Sequence, residues 1–281
     1  MLEEAVWPVS LKESQQQIDG IISLLQHFST QKVHLLHVNE APEYTLQERR
    51  KQLEARAEEL GRLKVHSEIS FRAGHVATAI TEFADYKNTD FIILPWKTKM
   101  IVKRALLGNT VRDVIRLSNR PVAVYREGWK PVRRGESETR INKIMYATAF
   151  QATDKVVMPY LIHDGIRADT LYLLNVGQRA PDPEAEKKRR QQAEEKLAEL
   201  AKECRDAYNN IDTLTVIGRP YKQILQKARR ENINLIVAGK YDKASPFSSI
   251  LGSIAEHLPH RSPCPILIIP LEAFAVNRKE G

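Results

Sequence analysis

Apolar and polar positions along the chain fall into two series with the same order. In the first, short apolar runs at Ala5–Val9, Lys32–Val38, Val65–Phe71 and Phe91–Leu94 read as strands. Between them, Gln15–Phe28 places Ile18, Ile21, Ile22 and Leu25 at helical spacing. Leu46–Leu63 is a charged amphipathic helix with Leu53, Ala57 and Leu60 on one face. Gly74 opens a further helix over Val76–Lys87. The second series runs Ile141–Thr148, Leu171–Val176, Thr213–Ile217 and Leu235–Ala238 as strands. Its helices fall at Asp154–His163, Glu184–Tyr208 and Tyr221–Asn232. Strands that alternate with helices predict parallel pairing through right-handed crossovers.

Each series closes in the same way. Leu94–Arg126 and Ala238–Pro270 both pass from a polar loop through a Leu-Gly-Asn/Ser step into a helix, and a proline then introduces a β-branched strand. Gly108 and Gly252 are 144 positions apart, and Pro121 and Pro265 keep that offset. This register marks an internal duplication of a β-α-β-α-β-α-β-α-β unit. Glu127–Arg140 is polar, contains Pro and Gly and lacks apolar periodicity. The expected division is therefore a domain over 1–127, a linker over 128–140, a second domain over 141–270 and a tail over 271–281.

Composition narrows the classes. A chain of 281 residues suits two domains with separate cores. The net charge of +8 comes from basic residues interleaved with Glu, with little aromatic interleaving, which argues against nucleic acid as the main partner. No apolar run approaches the roughly 20 residues of a membrane-spanning helix. The N-terminal MLEEAVWPVS lacks the basic-then-apolar pattern of a secretory signal, so a cytoplasmic location is expected. Cys204 and Cys264 fall in a charged helix and at a strand start, where reduced thiols are expected rather than a disulfide.

Open sheets of this kind bind ligands beyond the C-terminal strand ends, where the strand order reverses. The loops after the first, second and fourth strands build that edge. A helix opening at Gly108 or Gly252 points its N-terminus there, where unpaired N–H groups favour a phosphate.

The strands HLLHV (His34–Val38) and YLLNV (Tyr172–Val176), with LLGNTVRDVIRLSNRPVAVY and ILGSIAEHLPHRSPCPILII, resemble the universal stress protein family in its tandem form. The resemblance covers nearly the whole chain. It implies two doubly wound, Rossmann-like α/β domains, each with a five-stranded parallel sheet. It also implies pairing through the last strand, made between the two domains of one chain or in a homodimer. Nucleotide-binding members carry Gly-x-x-Gly, nine residues, then Gly-Ser/Thr, and an Asp at the end of the first strand. The glycines admit the backbone to the phosphates and the Asp takes ribose hydroxyls.

This chain keeps that pattern unevenly. In the second half Gly239 and Gly252-Ser253 match, whereas Asp242 stands at the second glycine and brings negative charge beside the phosphate. In the first half Pro95 and Thr98 replace both glycines, and Gly108 with Asn109-Thr110 remains. The first-strand Asp is replaced by Ser10 in one half and Ala149 in the other. Weak binding of ATP or AMP is therefore expected in the second half. Thr148 and Val176 would border the base and ribose, and Gly239, Gly252, Ser253 and Ile254 would hold phosphate. In the first half, Lys97, Lys99, Lys103 and Arg104 ahead of Gly108 and Asn109 suggest an anion site made by side-chain charge. The alternatives there are a solvated loop and a face for an acidic partner.

Other constellations carry less. His34 and His37 are three apart in a strand, face opposite sides and cannot share a metal. His257 and His260 lack a third ligand, so no metal site is expected. Trp7 and Trp129 fall in the first strand and in the linker, and Trp96 at the ligand edge, where packing against the neighbouring domain competes with stacking on a base. Nucleophile-elbow, Ser/His/Asp and Walker patterns are missing. The expected function is a non-enzymatic sensing or regulatory role. The alternative is the cytosolic C-terminal domain of a cation/proton antiporter or amino-acid permease, with basic charge toward an acidic inner leaflet. Such antiporter tails are similar at Leu94-Pro95-Trp96. Slow ATP hydrolysis is the least supported reading, since no candidate base is present.

Overall fold

The structure, a computed structural model, describes residues 1–39, 46–96, 106–129, 132–134, 138–166, 168–240, 257–259 and 261–273. The chain divides into two compact units, Met1–Lys130 and Pro131–Gly281.

In the first unit the elements are β1 (Glu4–Pro8), α1 (Gln15–His27), β2 (Lys32–Asn39), α2 (Leu46–Arg62), β3 (His66–Ala73), α3 (Val76–Tyr86), β4 (Phe91–Trp96), α4 (Leu106–Leu117) and β5 (Val122–Arg126). The strands lie in the order β5-β4-β1-β2-β3, all parallel. Buried on both faces, β1, β2 and β4 contribute Trp7, Leu35, Leu36, Phe91, Ile92 and Ile93 to the core. The outer strand β3 is half-exposed and polar, which discourages further pairing along it. Ser14 and Gln17 form a reciprocal capping box at the start of α1.

A ribbon, β6 (Val132–Arg134) paired antiparallel with β7 (Glu138–Arg140), opens the second unit. It lies in the stretch whose composition predicts only a linker, because three-residue strands leave no periodicity to read. Trp129, placed by the sequence in that linker, is buried and meets the Tyr125 ring edge-on within the first unit.

The second unit continues with β8 (Lys143–Thr148), α5 (Asp154–Ile162), β9 (Thr170–Gly177), α6 (Pro183–Glu203), β10 (Asn210–Ile217), α7 (Pro220–Arg230), β11 (Leu235–Lys240) and β12 (Ile266–Pro270). The order β12-β11-β8-β9-β10, all parallel, repeats that of the first unit. The duplication extends to the turns. Before β5, Ser118 Oγ donates to the Arg120 carbonyl and accepts from its N–H. Before β12, Ser262 does the same with Cys264. The side chains have diverged. Arg120 clasps Asp85, Asn88 and the Thr89 carbonyl. Cys264 is enclosed, and burial pushes its thiol up to about 12. Burial, with Glu203 beside it, does the same for Cys204. Thiols so held are inert, in keeping with the reduced cysteines expected.

At the N-terminal strand edge of the first unit, charges from four elements meet. The His34 ring is fully buried, with Nε2 donating to Glu4 at 2.5 Å and Nδ1 at 3.3 Å from Glu68. Lys32 bridges Glu4 and Glu68, and Lys87 also reaches Glu68. The Lys32 hydrogen bond is the main reason the Glu68 carboxyl is held down to about 2. Burial works to raise the Glu4 carboxyl, but hydrogen bonds from His34 and Lys32 outweigh it and hold it below its ordinary value. His34 is thus a core histidine paired to carboxylates.

Candidate functional site

In each unit the strand order reverses between the first and fourth strands, β1 and β4 or β8 and β11. The crevice for a ligand therefore opens where these strands end. Both units place one bulky residue in the left-handed backbone region directly after the first strand: Leu11 (φ 62°) and Phe150 (φ 56°). Residues with a large side chain are strained there and persist only when their surroundings hold them.

A hydroxyl and a carboxylate do the holding. In the first unit Ser10 donates through both N–H and Oγ to the Glu13 carboxylate, at 2.7 and 2.5 Å, while its Oγ accepts from the Lys12 N–H. In the second unit Thr148 Oγ1 donates to the Asp154 carboxylate, at 2.8–2.9 Å, and accepts from the Phe150 N–H at 2.8 Å. Tyr146 Oη donates to the same carboxylate. Burial pushes the Asp154 carboxyl up, against the two hydroxyl hydrogen bonds that favour its charged form. The Lys196 ammonium lies 5.3 Å over the Phe150 ring.

The second strand braces the first in both units through different chemistry. His37 Nδ1 donates to the Val9 carbonyl at 2.8 Å, and Asn175 Nδ2 donates to the Thr148 carbonyl at 3.1 Å. Arg49 from α2 donates to His37 Nε2 at 2.7 Å, which fixes the ring proton on Nδ1, since a guanidinium can only donate. The two histidines of β2 do face opposite sides: His34 meets Phe83 of α3, and His37 meets Phe71 and Arg49. In the second unit an arginine of α6, Arg189, lies over the end of β9. A Cβ on Gly177 would come within 2.1 Å of its guanidinium. Glu186 pairs with Arg189 at 2.6 Å, and this hydrogen bond is the main cause that lowers its carboxyl to about 2.

Of the residues singled out from the sequence, Thr148, Val176 and Gly239 fall together at this crevice, at the ends of β8, β9 and β11. Thr148 is buried and its hydroxyl is already bonded on both sides. Val176 is half-exposed. A Cβ at Gly239 would stand 2.7 Å from both Cβ and Oγ1 of Thr153, so the missing side chain makes room for the loop ahead of α5. Gly252, Ser253 and Ile254, with Asp242, lie outside the described residues, as do Lys97, Lys99, Lys103, Arg104 and His260. Gly108 and Asn109 are in the first turn of α4, which begins two residues before the glycine. Trp96 is buried at the end of β4. Among the described residues, no group of three His, Cys, Asp or Glu side chains is arranged to hold a metal ion.

Glu13, Arg49, Thr153, Asp154 and Asn175 are not among the candidates the sequence offers, and His37 enters there only as a metal ligand set aside. Ser10-x-x-Glu13 carried a legible signal, a hydroxyl three residues before a carboxylate at a loop. Asp154 carried none, because its partners Tyr146 and Thr148 meet it only through the turn.

The profile of the universal stress protein family matches residues 7–126 and again residues 141–270. A universal stress protein of Methanocaldococcus jannaschii is 27% identical over 86 residues, which are 31% of this chain and 53% of that protein. The chain thus spans about half the length of that curated relative. A universal stress protein from Archaeoglobus fulgidus superposes with a TM-score of 0.68 at 19% identity, over 95% of this chain and 96% of the other. The cytoplasmic domain of a prokaryotic cation chloride cotransporter superposes with a TM-score of 0.57 at 15% identity, over 98% and 100%. At these identities the structural likeness is one of fold.

Proposed function

This chain belongs to the universal stress protein family, with one domain in each half, and on that footing we propose that it is a non-enzymatic regulatory module with a weak adenine-nucleotide site in its second unit. The observation that carries this reading is the Thr148–Asp154 closure at the end of β8. A nucleotide at this crevice meets a hydroxyl already engaged and a buried carboxylate behind it. On the phosphate side, Gly239 gives its open space to Thr153, and Asp242 adds charge of the wrong sign. Both carboxylate oxygens of Asp154 accept hydrogen bonds, so it is poorly placed to take a proton from water. Pairing of the two domains, or of two chains, through last strands belongs to the same reading and is tested by the mass of the particle in solution.

The test is to denature the purified protein, search the supernatant for nucleotides by mass spectrometry, and then titrate ATP and AMP calorimetrically. The expected result is an empty supernatant and a Kd of about 1 mM, roughly 4 kcal/mol of binding. Stoichiometric nucleotide in the supernatant overturns the weakness, and a flat titration overturns the site. ATP turnover above the buffer rate overturns the non-enzymatic assignment. Asp242→Gly is expected to tighten binding about tenfold, about 1.4 kcal/mol. Unchanged affinity in that variant would sink the phosphate placement.

A second reading is favoured by the full-length superposition on a cotransporter's cytoplasmic domain: the chain is the regulatory domain of a cation transporter. Among the described residues no helix is long and apolar enough to cross a membrane. Sequencing the complete transcript decides it. Membrane-spanning segments joined upstream support this reading, and an in-frame stop codon just upstream rejects it.

A further inference from the structure

Helices α3 and α7 hold the same place in the two units. Each follows a glycine in the left-handed region, Gly74 (φ 119°) or Gly218 (φ 139°). Each ends just before an asparagine there, Asn88 (φ 52°) or Asn232 (φ 54°). Their inward faces correspond, with Ile80 and Ala84 of α3 buried where α7 buries Ile224 and Ala228. Their outward faces do not. Thr78, Glu82, Asp85 and Tyr86 are exposed on α3, and the same positions of α7 expose Lys222, Gln226, Arg229 and Arg230. From Arg219 to Arg230 the chain has five cations and no carboxylate. The adjoining acid, Glu231, sits 3.6 Å from Arg230.

Folding alone does not account for this charge. Cations in the last turn, Lys227, Arg229 and Arg230, suit the helix dipole. Arg219 at the N-cap and Lys222 in the first turn oppose it, and the first turn holds no acid to compensate. The N-cap side chain makes no capping hydrogen bond. The duplicate helix α3 keeps the same backbone and the same buried ridge with His75, Thr78, Asp85 and Tyr86 where α7 has Arg219, Lys222, Arg229 and Arg230. Arg229 is also tied to the fold, donating to the Arg261 carbonyl at 2.9 Å, so the charge left without a folding role is that of Arg219 and Lys222.

We propose that the outward face of α7 is a docking surface for the headgroups of an anionic bilayer. The ridge Arg219, Lys222, Gln226, Arg230 runs about 17 Å along one side of the helix, at 1.5 Å per residue. It carries no apolar or aromatic side chain at those four positions, whereas protein interfaces concentrate aromatic anchors and deplete lysine at their centres. Anionic lipids diffuse laterally and gather beneath a fixed row of cations, each Lys or Arg near the surface adding to the attraction. Attachment by this face is peripheral, because nothing on it inserts into the acyl region.

The test is co-sedimentation of the full chain with phosphatidylcholine vesicles containing about one-third phosphatidylserine, at about 0.1 M and about 0.5 M salt. Binding is expected at the lower salt, lost at the higher, and missing with phosphatidylcholine alone. A variant carrying the α3 residues, Lys222→Thr, Gln226→Glu, Arg229→Asp and Arg230→Tyr, is expected to bind at least about 100-fold less. If it loses its thermal transition, Lys222→Gln with Arg229→Gln and Arg230→Gln replaces it, with at least about tenfold loss expected. Lys187→Glu, Lys188→Glu and Arg205→Gln shift the net charge by the same amount elsewhere and are expected to leave most binding intact. Equal loss in that control overturns the proposal. So does binding to neutral vesicles, or binding to duplex DNA or polyglutamate while the anionic vesicles stay bare.

Discussion

A glycine whose missing side chain is already filled by a neighbour serves packing first, and Gly239 is such a residue. Gly239→Ala would press a Cβ against Thr153 at 2.7 Å, and overpacking of this kind costs about 1–3 kcal/mol. Urea unfolding should show that loss, whereas a glycine kept only for a phosphate would leave stability unchanged when replaced. Asp154 gives a pH-dependent prediction. Burial raises its carboxyl above the ordinary 3.8. Its contribution to stability is therefore present below that value and lost as pH rises through the folded-state value. Asp154→Asn keeps a carbonyl to accept from Tyr146 or Thr148 and never acquires the buried charge. The melting temperature of the parent chain should accordingly fall relative to that of Asp154→Asn from about pH 3 to about pH 7, and parallel curves would count against the assignment. Thr148, Val176 and Gly239 could be put at strand ends from the sequence because strand ends follow from apolar runs. It missed Asp154, Thr153 and Asn175 because their partners are set by how a turn folds back, which no spacing rule encodes.

At the level of elements, what was legible and what was not separate cleanly. The five-stranded sheets, their parallel pairing and the duplication could be read from periodicity and register, and the structure has them. The β6–β7 ribbon could not, since it is too short for a pattern. Nor could the bracing of strand ends by His37 in one unit and Asn175 in the other, which is a likeness of role without likeness of residue. The charge cluster across β1, β2, β3 and α3 allows a test of coupling between elements. The Glu68 carboxyl falls from an ordinary 4.5 to about 2, chiefly through Lys32. A lowered folded-state value contributes stability above about 4.5 that is lost as pH falls toward 2. Glu68→Gln should flatten the acid limb of the melting curve across that window and lower stability above it. An acid limb as steep as that of the parent chain would mean that Glu4 and the remaining acids carry the effect instead.

For the whole molecule, each unit holds a complete five-stranded sheet and its own buried core. Residues 1–130 and 131–281 expressed separately are expected to unfold cooperatively, each with a sigmoidal thermal transition. A gradual, featureless melt of either piece would contradict that. Duplication has left one backbone plan carrying two sets of side chains: a cationic α7 against an acidic α3, a cysteine turn against an arginine clasp. The cysteine turn has a practical consequence. Both cysteines of the chain lie in the second unit, and both are buried thiols pushed up to about 12. A thiol reagent therefore sees nothing until that unit opens, and nothing at all of the first. The rate of labelling is a native clock for one half of the molecule, needing no dye, tag or engineered residue, and any ligand that steadies the second unit will slow it.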